Sequence, residues 1–290
     1  MLVAVTLVGE DAPAIAPRLD AALAGSAKHA SPLGPNAVDL LFESQAVEPL
    51  RQAVNQAVGD APVDICVQPV AGRRKRLLIA DMDSTIIGCE CLDELADFAG
   101  VKAQVSAITE RAMRGEIGFE GALRERVGML KGLPIAALEQ CYAERVRLNP
   151  GAESLVRTMA AHGARCVLVS GGFGFFTGRV ARAAGFHADR ANTLMEANGV
   201  LTGQVGDPIL GREAKLAALK EECAALGVDP GQALAVGDGA NDLAMITAAG
   251  LGVAYRAKPV VAAEAQARIE HTDLTSLLYF QGYRAGDFWG

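Results

Sequence analysis

Three short apolar runs without polar alternation stand out along the chain: Leu77–Ala80, the stretch CVLV at 166–169, and Ala233–Val236. Such runs read as strands buried on both faces, as in a parallel sheet covered by helices. Each ends abruptly in small and polar residues. The first is followed by Asp81-Met82-Asp83-Ser84-Thr85, the second by Ser170-Gly171-Gly172, and the third by Gly237-Asp238-Gly239-Ala240-Asn241-Asp242. A helix over 151–162, another containing Lys215, and a further strand at 252–255 complete an α/β alternation that predicts a Rossmann-like core. In an open α/β sheet ligands bind outside the carboxyl ends of the strands, so these three exits are the places to look for chemistry.

Elsewhere the period changes. Residues 2–8, 37–43 and 63–69 read as strands and 11–24 and 46–58 as helices, and the turn-rich piece 25–36 has room for one more short strand. That order, βαββαβ, is the small α+β ferredoxin-like arrangement, expected over 1–72. Gly72–Arg76 (GRRKR) breaks the pattern and is expected to be a solvated linker rather than a nucleic-acid patch. Residues 89–148 carry helical periodicity at 91–99, 102–114, 119–130 and 134–147, an inserted helical cap between core segments 73–88 and 149–290. Asn198-Gly199 marks a hairpin with strands near 192–196 and 199–205.

Composition narrows the function. With 290 residues, 51% of them hydrophobic and 21% charged, the chain can bury more than one core. A net charge of -7 argues against nucleic acid or an anionic membrane surface as partner and favours a small-molecule ligand. No apolar run reaches the roughly 18–20 residues of a membrane span, and no basic-then-apolar leader opens the chain, so a cytoplasmic protein is expected. Cys66, Cys89, Cys91, Cys141, Cys166 and Cys223 lack C-x-x-C spacing and read as free thiols. Gly172-Phe173-Gly174 fails as a dinucleotide fingerprint because Thr177 stands where the third glycine belongs.

Asp81 and Asp83, two residues apart at a strand exit, repel unless a cation or proton separates them. Taken alone, D-x-D also fits a solvated turn or the metal site of a nucleotide-sugar glycosyltransferase. Taken with the other exits it forms a phosphate and Mg²⁺ site: a hard cation on Asp81 and Asp238, a hydroxyl from Ser170 and backbone N–H groups near Gly171 for phosphate oxygens, and positive charge from Lys215.

These residues, in order and spacing, resemble the haloacid dehalogenase superfamily of phosphatases over about residues 73–290. Glu90 in GCECLDELA, together with Met113, Phe119 and Arg126 in MRGEIGFEGALRERVGMLKGLP, makes the chain similar to the phosphoserine phosphatases within it. The amino-terminal unit resembles the ACT-like domain of some members. The resemblance implies Mg²⁺-dependent hydrolysis of phosphoserine, the last step of serine biosynthesis, with Asp81 as nucleophile and Asp83 as general acid and base. Asp81, Asp83 (through its carbonyl) and Asp238 would hold the metal, and Lys215 would neutralise charge. Ser170, Gly171 and Asn241 would bind substrate, supported by Asp242. In the cap, Glu90 would meet the substrate ammonium, Arg126 its carboxylate, and Met113 and Phe119 would close the apolar side. A phosphotransferase using another alcohol as acceptor, and a non-catalytic regulatory protein binding phosphate or an amino acid, are the alternatives. A homodimer is one assembly open to the chain.

Overall fold

The computed structural model describes residues 1–113 and 116–290, the side chain of Met113 excepted. The first unit runs β1 (Leu2–Val8), α1 (Ala12–Ala22), β2 (Ala27–Gly34), β3 (Ala37–Glu43), α2 (Val47–Val58) and β4 (Asp64–Pro69). Its sheet has the order β2-β3-β1-β4 with antiparallel pairing throughout, so the strand expected within 25–36 is real and forms an edge. One face buries Val3, Val5, Leu7, Leu40 and Phe42 with Leu19 and Val54 from the helices. The other face contributes Val8, Ala37 and Cys66 to the core of the following unit. β1 is therefore buried on both faces and reads as an apolar run broken only by Thr6, whose buried hydroxyl donates to Asp39 Oδ1 at 2.6 Å.

GRRKR is solvated only in part: Arg74 and Arg76 are exposed, whereas Arg73 and Lys75 are drawn inward. Arg73 Nη1 lies 2.6 Å from Asp39 Oδ2, the Arg74 guanidinium sits 4.2 Å over the Tyr283 ring, and Lys75, 7% exposed, donates to the carbonyls of Gly72 and Gly231. The joint is too short to loop away, so Arg73, Arg74 and Lys75 find partners in the seam it crosses. Asp64 reinforces that seam, accepting from the backbone N–H groups of Glu270, His271 and Thr272 and from the Thr272 hydroxyl.

The chain then enters β5 (Leu77–Ala80) and the cap helices α3 (Cys91–Phe98), α4 (Lys102–Met113), α5 (Phe119–Gly128) and α6 (Ile135–Arg145). It returns through α7 (Ala152–Ala161), β6 (Arg165–Phe173), α8 (Gly174–Ala184), β7 (Ala188–Asn192) and the hairpin β8 (Leu194–Ala197) and β9 (Val200–Val205). It closes with α9 (Arg212–Leu226), β10 (Ala233–Gly237), α10 (Leu243–Ala248), β11 (Leu251–Tyr255), α11 (Pro259–Glu264), β12 (Ala267–Ile269) and α12 (Ser276–Phe280). The sheet order is β12-β11-β10-β5-β6-β7, all parallel. β10, β5 and β6 are neighbours, with Ala80 in register with Val236 on one side and Leu168 on the other. The three polar exits therefore emerge side by side.

Two strands escape the hydrophobic pattern. β7 is a polar edge strand, and β12 has three residues. Asn192, expected in the hairpin, ends β7 opposite Phe173. The hairpin itself docks on the cap, bridging Val200 to Pro134, with Gly132 N–H donating to the Leu201 carbonyl at 2.8 Å and Arg124 pairing with Asp207 at 2.6 Å. The six cysteines are free. Among the described residues no helix is long and apolar enough to cross a membrane.

Candidate active site

Past β5 the backbone makes one tight turn over Met82–Ile86, which places Ser84 at φ +57°. Asn149 holds this turn from the far side of the cap insertion. Its N–H donates to the Ile86 carbonyl and its Nδ2 to the Thr85 carbonyl, both at 2.8 Å. Thr85 is fully buried and its hydroxyl lies 3.4 Å from Asp238 Oδ1. Sequence reasoning assigned no role to Asn149 and none to Thr85 beyond its place in the motif.

Asp81, Asp238 and Asp242 bring carboxylate oxygens within 4.8 Å of one another. Lys215, on the first turn of α9 and 2% exposed, places Nζ 2.5 Å from both Asp81 Oδ1 and Asp242 Oδ1. Burial opposes the Lys215 charge, but the two aspartates outweigh it and raise its pKa. Burial and then the Asp242 charge push Asp81 well above the usual carboxylate range, against the pull of Lys215. Asp238 is raised by the same two causes. Asp242, with Oδ1 on Lys215 and Oδ2 accepting from Gly239 N–H at 3.0 Å, has both oxygens engaged. A Cβ on Gly237 would fall 2.4 Å from its carboxyl, which is why glycine precedes Asp238. The donor set, oxygen only and rich in negative charge, fits a hard divalent cation. Asp81 and Asp238 are the carboxylates left to hold it.

Asp83 does not join that cluster with its side chain. Oδ1 accepts from Cys91 N–H at 2.9 Å and Oδ2 from the Ser170 hydroxyl at 3.1 Å. Burial raises its pKa despite these hydrogen bonds. Two acids of one motif thus face different surroundings: one lies against Lys215 and the carboxylate cluster, the other beside Ser170. Ser170 Oγ also accepts from Gly172 N–H at 2.8 Å, and a Cβ on Gly172 would lie 3.1 Å from Asp83 Oδ2. Small residues are needed here for close approach.

From the cap, the Phe119 ring lies over this end of β6. A Cβ on Gly171 would sit 3.6 Å from its Cζ, and one on Gly211 3.4 Å from its Cδ1. The ring is 42% exposed and faces the crevice between cap and core. Glu90 accepts from the Ser84 hydroxyl at 2.7 Å, and partial burial followed by the Asp83 charge raises it to about 7. Arg126 is half-buried and donates from Nε to the Ala122 carbonyl. Burial lowers its pKa, with Asp93 and Glu90 pulling the other way, and among the described residues it has no carboxylate in ion-pair contact. Asn241 is exposed with its carboxamide against Gly239. The side chain of Met113 lies outside the described residues. The structure thus gathers Asp81, Asp83, Ser170, Lys215, Asp238 and Asp242 and sets Phe119 and Glu90 at the rim. It adds Thr85, Asn149 and Asn192 as supports for which hydrophobic periodicity carries no signal.

Comparison with known proteins agrees with this geometry. The family model for haloacid dehalogenase-like hydrolases matches residues 78–247. A phosphoserine phosphatase of Polaromonas sp. is 49% identical over 208 residues, covering 70% of this chain and 88% of that protein. A probable phosphoserine phosphatase from Vibrio cholerae superposes with a TM-score of 0.80 at 32% identity, over 96% of this chain and 86% of that one. A haloacid dehalogenase family hydrolase of Salmonella enterica reaches 0.87 at 28% identity over 96% and 98%, so the likeness includes the amino-terminal sheet. The convergent exits, the Lys215 bridge and these relatives together place the chain in the haloacid dehalogenase-like hydrolase family, in the branch that holds the phosphoserine phosphatases.

Proposed function

We propose that the chain hydrolyses O-phospho-L-serine to L-serine and phosphate through a phosphoryl group carried on Asp81, with Mg²⁺ as cofactor, at the last step of serine biosynthesis. The observation that carries this reading is the division between Asp81, set against Lys215 and Asp238, and Asp83, turned to Ser170. An Asp81 oxygen attacks phosphorus as the bond to the serine oxygen breaks, and Asp83, kept protonatable by burial, gives that oxygen its proton. Asp83 then takes a proton from water, which attacks the same phosphorus and frees Asp81. Lys215, the Ser170 hydroxyl and the Gly171 N–H stabilise the equatorial oxygens. Mg²⁺ on Asp81, Asp238 and the Asp83 carbonyl would supply the remaining charge neutralisation. Asn241 helps hold the substrate, Glu90 meets its ammonium and Arg126 its carboxylate. Met113 and Phe119 close the apolar side. Residues 1–72, in this reading an ACT-like unit, stand outside the chemistry.

The test is phosphate release from phosphoserine with Mg²⁺, with and without an added alcohol acceptor. Asp81→Asn preserves shape but removes the nucleophile and should lower kcat by roughly 10³-fold or more. Full turnover in that variant, or in excess chelator, overturns the mechanism. Transfer to the alcohol in preference to water would make the chain a phosphotransferase.

A further inference from the structure

Asn192 lies outside the motifs that define the site, yet it ties two of its parts together. It is the last residue of β7 and 2% exposed. Its Nδ2 donates to the Gly171 carbonyl at 2.8 Å and to the Leu210 carbonyl at 3.2 Å, while its Oδ1 accepts from Leu210 N–H at 2.7 Å. Both donors and the acceptor are used, so the carboxamide has one orientation and no slack. Gly171 belongs to Ser170-Gly171-Gly172, the irregular carboxyl end of β6. Leu210 is followed by Gly211 and then by α9, whose first turn carries Lys215. Across the crevice, the Phe119 ring lies over Gly171, which the clamp holds, and over Gly211, which follows Leu210.

We propose that Asn192 is a positioning residue for phosphoryl transfer: it locks the Gly171 peptide and the entry to α9 in one geometry, so that the loop N–H and the Lys215 ammonium meet the transferring group together. This rests on reading Ser170–Gly172 as the phosphate loop. The clamp binds no substrate atom. Its loss lets two stabilising groups drift relative to each other, which harms the transition state more than substrate capture, and a misplacement near 1 Å costs up to about 10²-fold.

The test measures Asn192→Ala and Asn192→Asp with Mg²⁺ on phosphoserine and on p-nitrophenyl phosphate, alongside thermal melting. Asn192→Ala should lower kcat about 10- to 100-fold on both substrates with KM within about threefold. Asn192→Asp keeps the volume and the acceptor for Leu210 N–H. When ionised it cannot donate to Gly171 O, and when protonated it regains one donor. Its kcat relative to wild type should therefore rise as pH falls, which a packing role alone would not produce. Wild-type kcat in Asn192→Ala overturns the proposal. So does a pH-independent ratio in Asn192→Asp, whether or not the alanine variant folds. If wild type turns over p-nitrophenyl phosphate but not phosphoserine, the substrate reading fails while the clamp is still tested on the former.

Discussion

Replacing Lys215 with Met keeps the aliphatic stem and removes only the ammonium that lies 2.5 Å from both Asp81 and Asp242. Three carboxylates within 4.8 Å then face one another with no positive group between them. At an effective dielectric of about 20, each such like-charged pair costs about 3.5 kcal/mol or more while ionised. The acids escape part of this by taking up protons, so the net loss should be the about 3–5 kcal/mol typical of breaking a buried ion pair. For a unit of this size that is a fall of about 6–10 °C in Tm, at about 2 °C per kcal/mol. The sign with pH follows. Asp81 and Asp238, already raised, are raised further, so the variant is least penalised in acid and loses stability as pH rises through their folded values. Mg²⁺ restores positive charge to the cluster and should stabilise Lys215→Met more than wild type, while kcat stays about 10²- to 10³-fold low. Calorimetry of metal-free and Mg²⁺-loaded protein between pH 5 and pH 8 reads all of this. A metal-free variant within about 1 kcal/mol of wild type, or equal Mg²⁺ stabilisation of both proteins, refutes the electrostatic account.

The specificity contacts separate by substrate. Arg126→Ala should cut kcat/KM for phosphoserine about 10- to 100-fold and for phosphoethanolamine, which lacks the carboxylate, less than about threefold; equal losses would remove Arg126 from the role proposed for it. Glu90, raised to about 7 in the free protein, is more protonated folded than unfolded, so its favourable contribution is complete below its ordinary carboxylate range and is lost as pH rises through about 7. The ionised form is the one that attracts an ammonium, so KM for phosphoserine should fall over that same rise in wild type and stay flat in Glu90→Gln, as pH-resolved initial rates would show. At the seam, Asp64→Ala leaves three backbone N–H donors without their acceptor and should destabilise by about 2–4 kcal/mol in denaturant titration, with kcat little changed until the transition begins.

The sequence by itself determined much of this protein, because burial leaves a local trace. Leu77–Ala80 and Ala233–Val236 are apolar on successive positions because both faces of those strands are covered. The exits that follow them are legible because glycine and aspartate interrupt an apolar run. In β1 a run that is apolar apart from Thr6 reports a sheet packed between its helices and the core of the next unit. Tertiary structure decided which strands stand together. Nothing local states that β10, β5 and β6 are neighbours, yet that order is what brings Asp238, Asp81 and Ser170 to one crevice. It also decided the fate of groups whose partners are remote in sequence. Lys215 is expected from sequence to supply positive charge, but only the fold shows that its ammonium lies between Asp81 and Asp242. Arg73 and Lys75 read as solvated until the seam buries them, and Asn192 reads as the start of the hairpin because a polar edge strand has no alternation to mark where β7 ends. The physical reason is common to these cases: periodicity records how much water a position loses, whereas the partner that compensates a buried polar or charged group is chosen by the topology that delivers it.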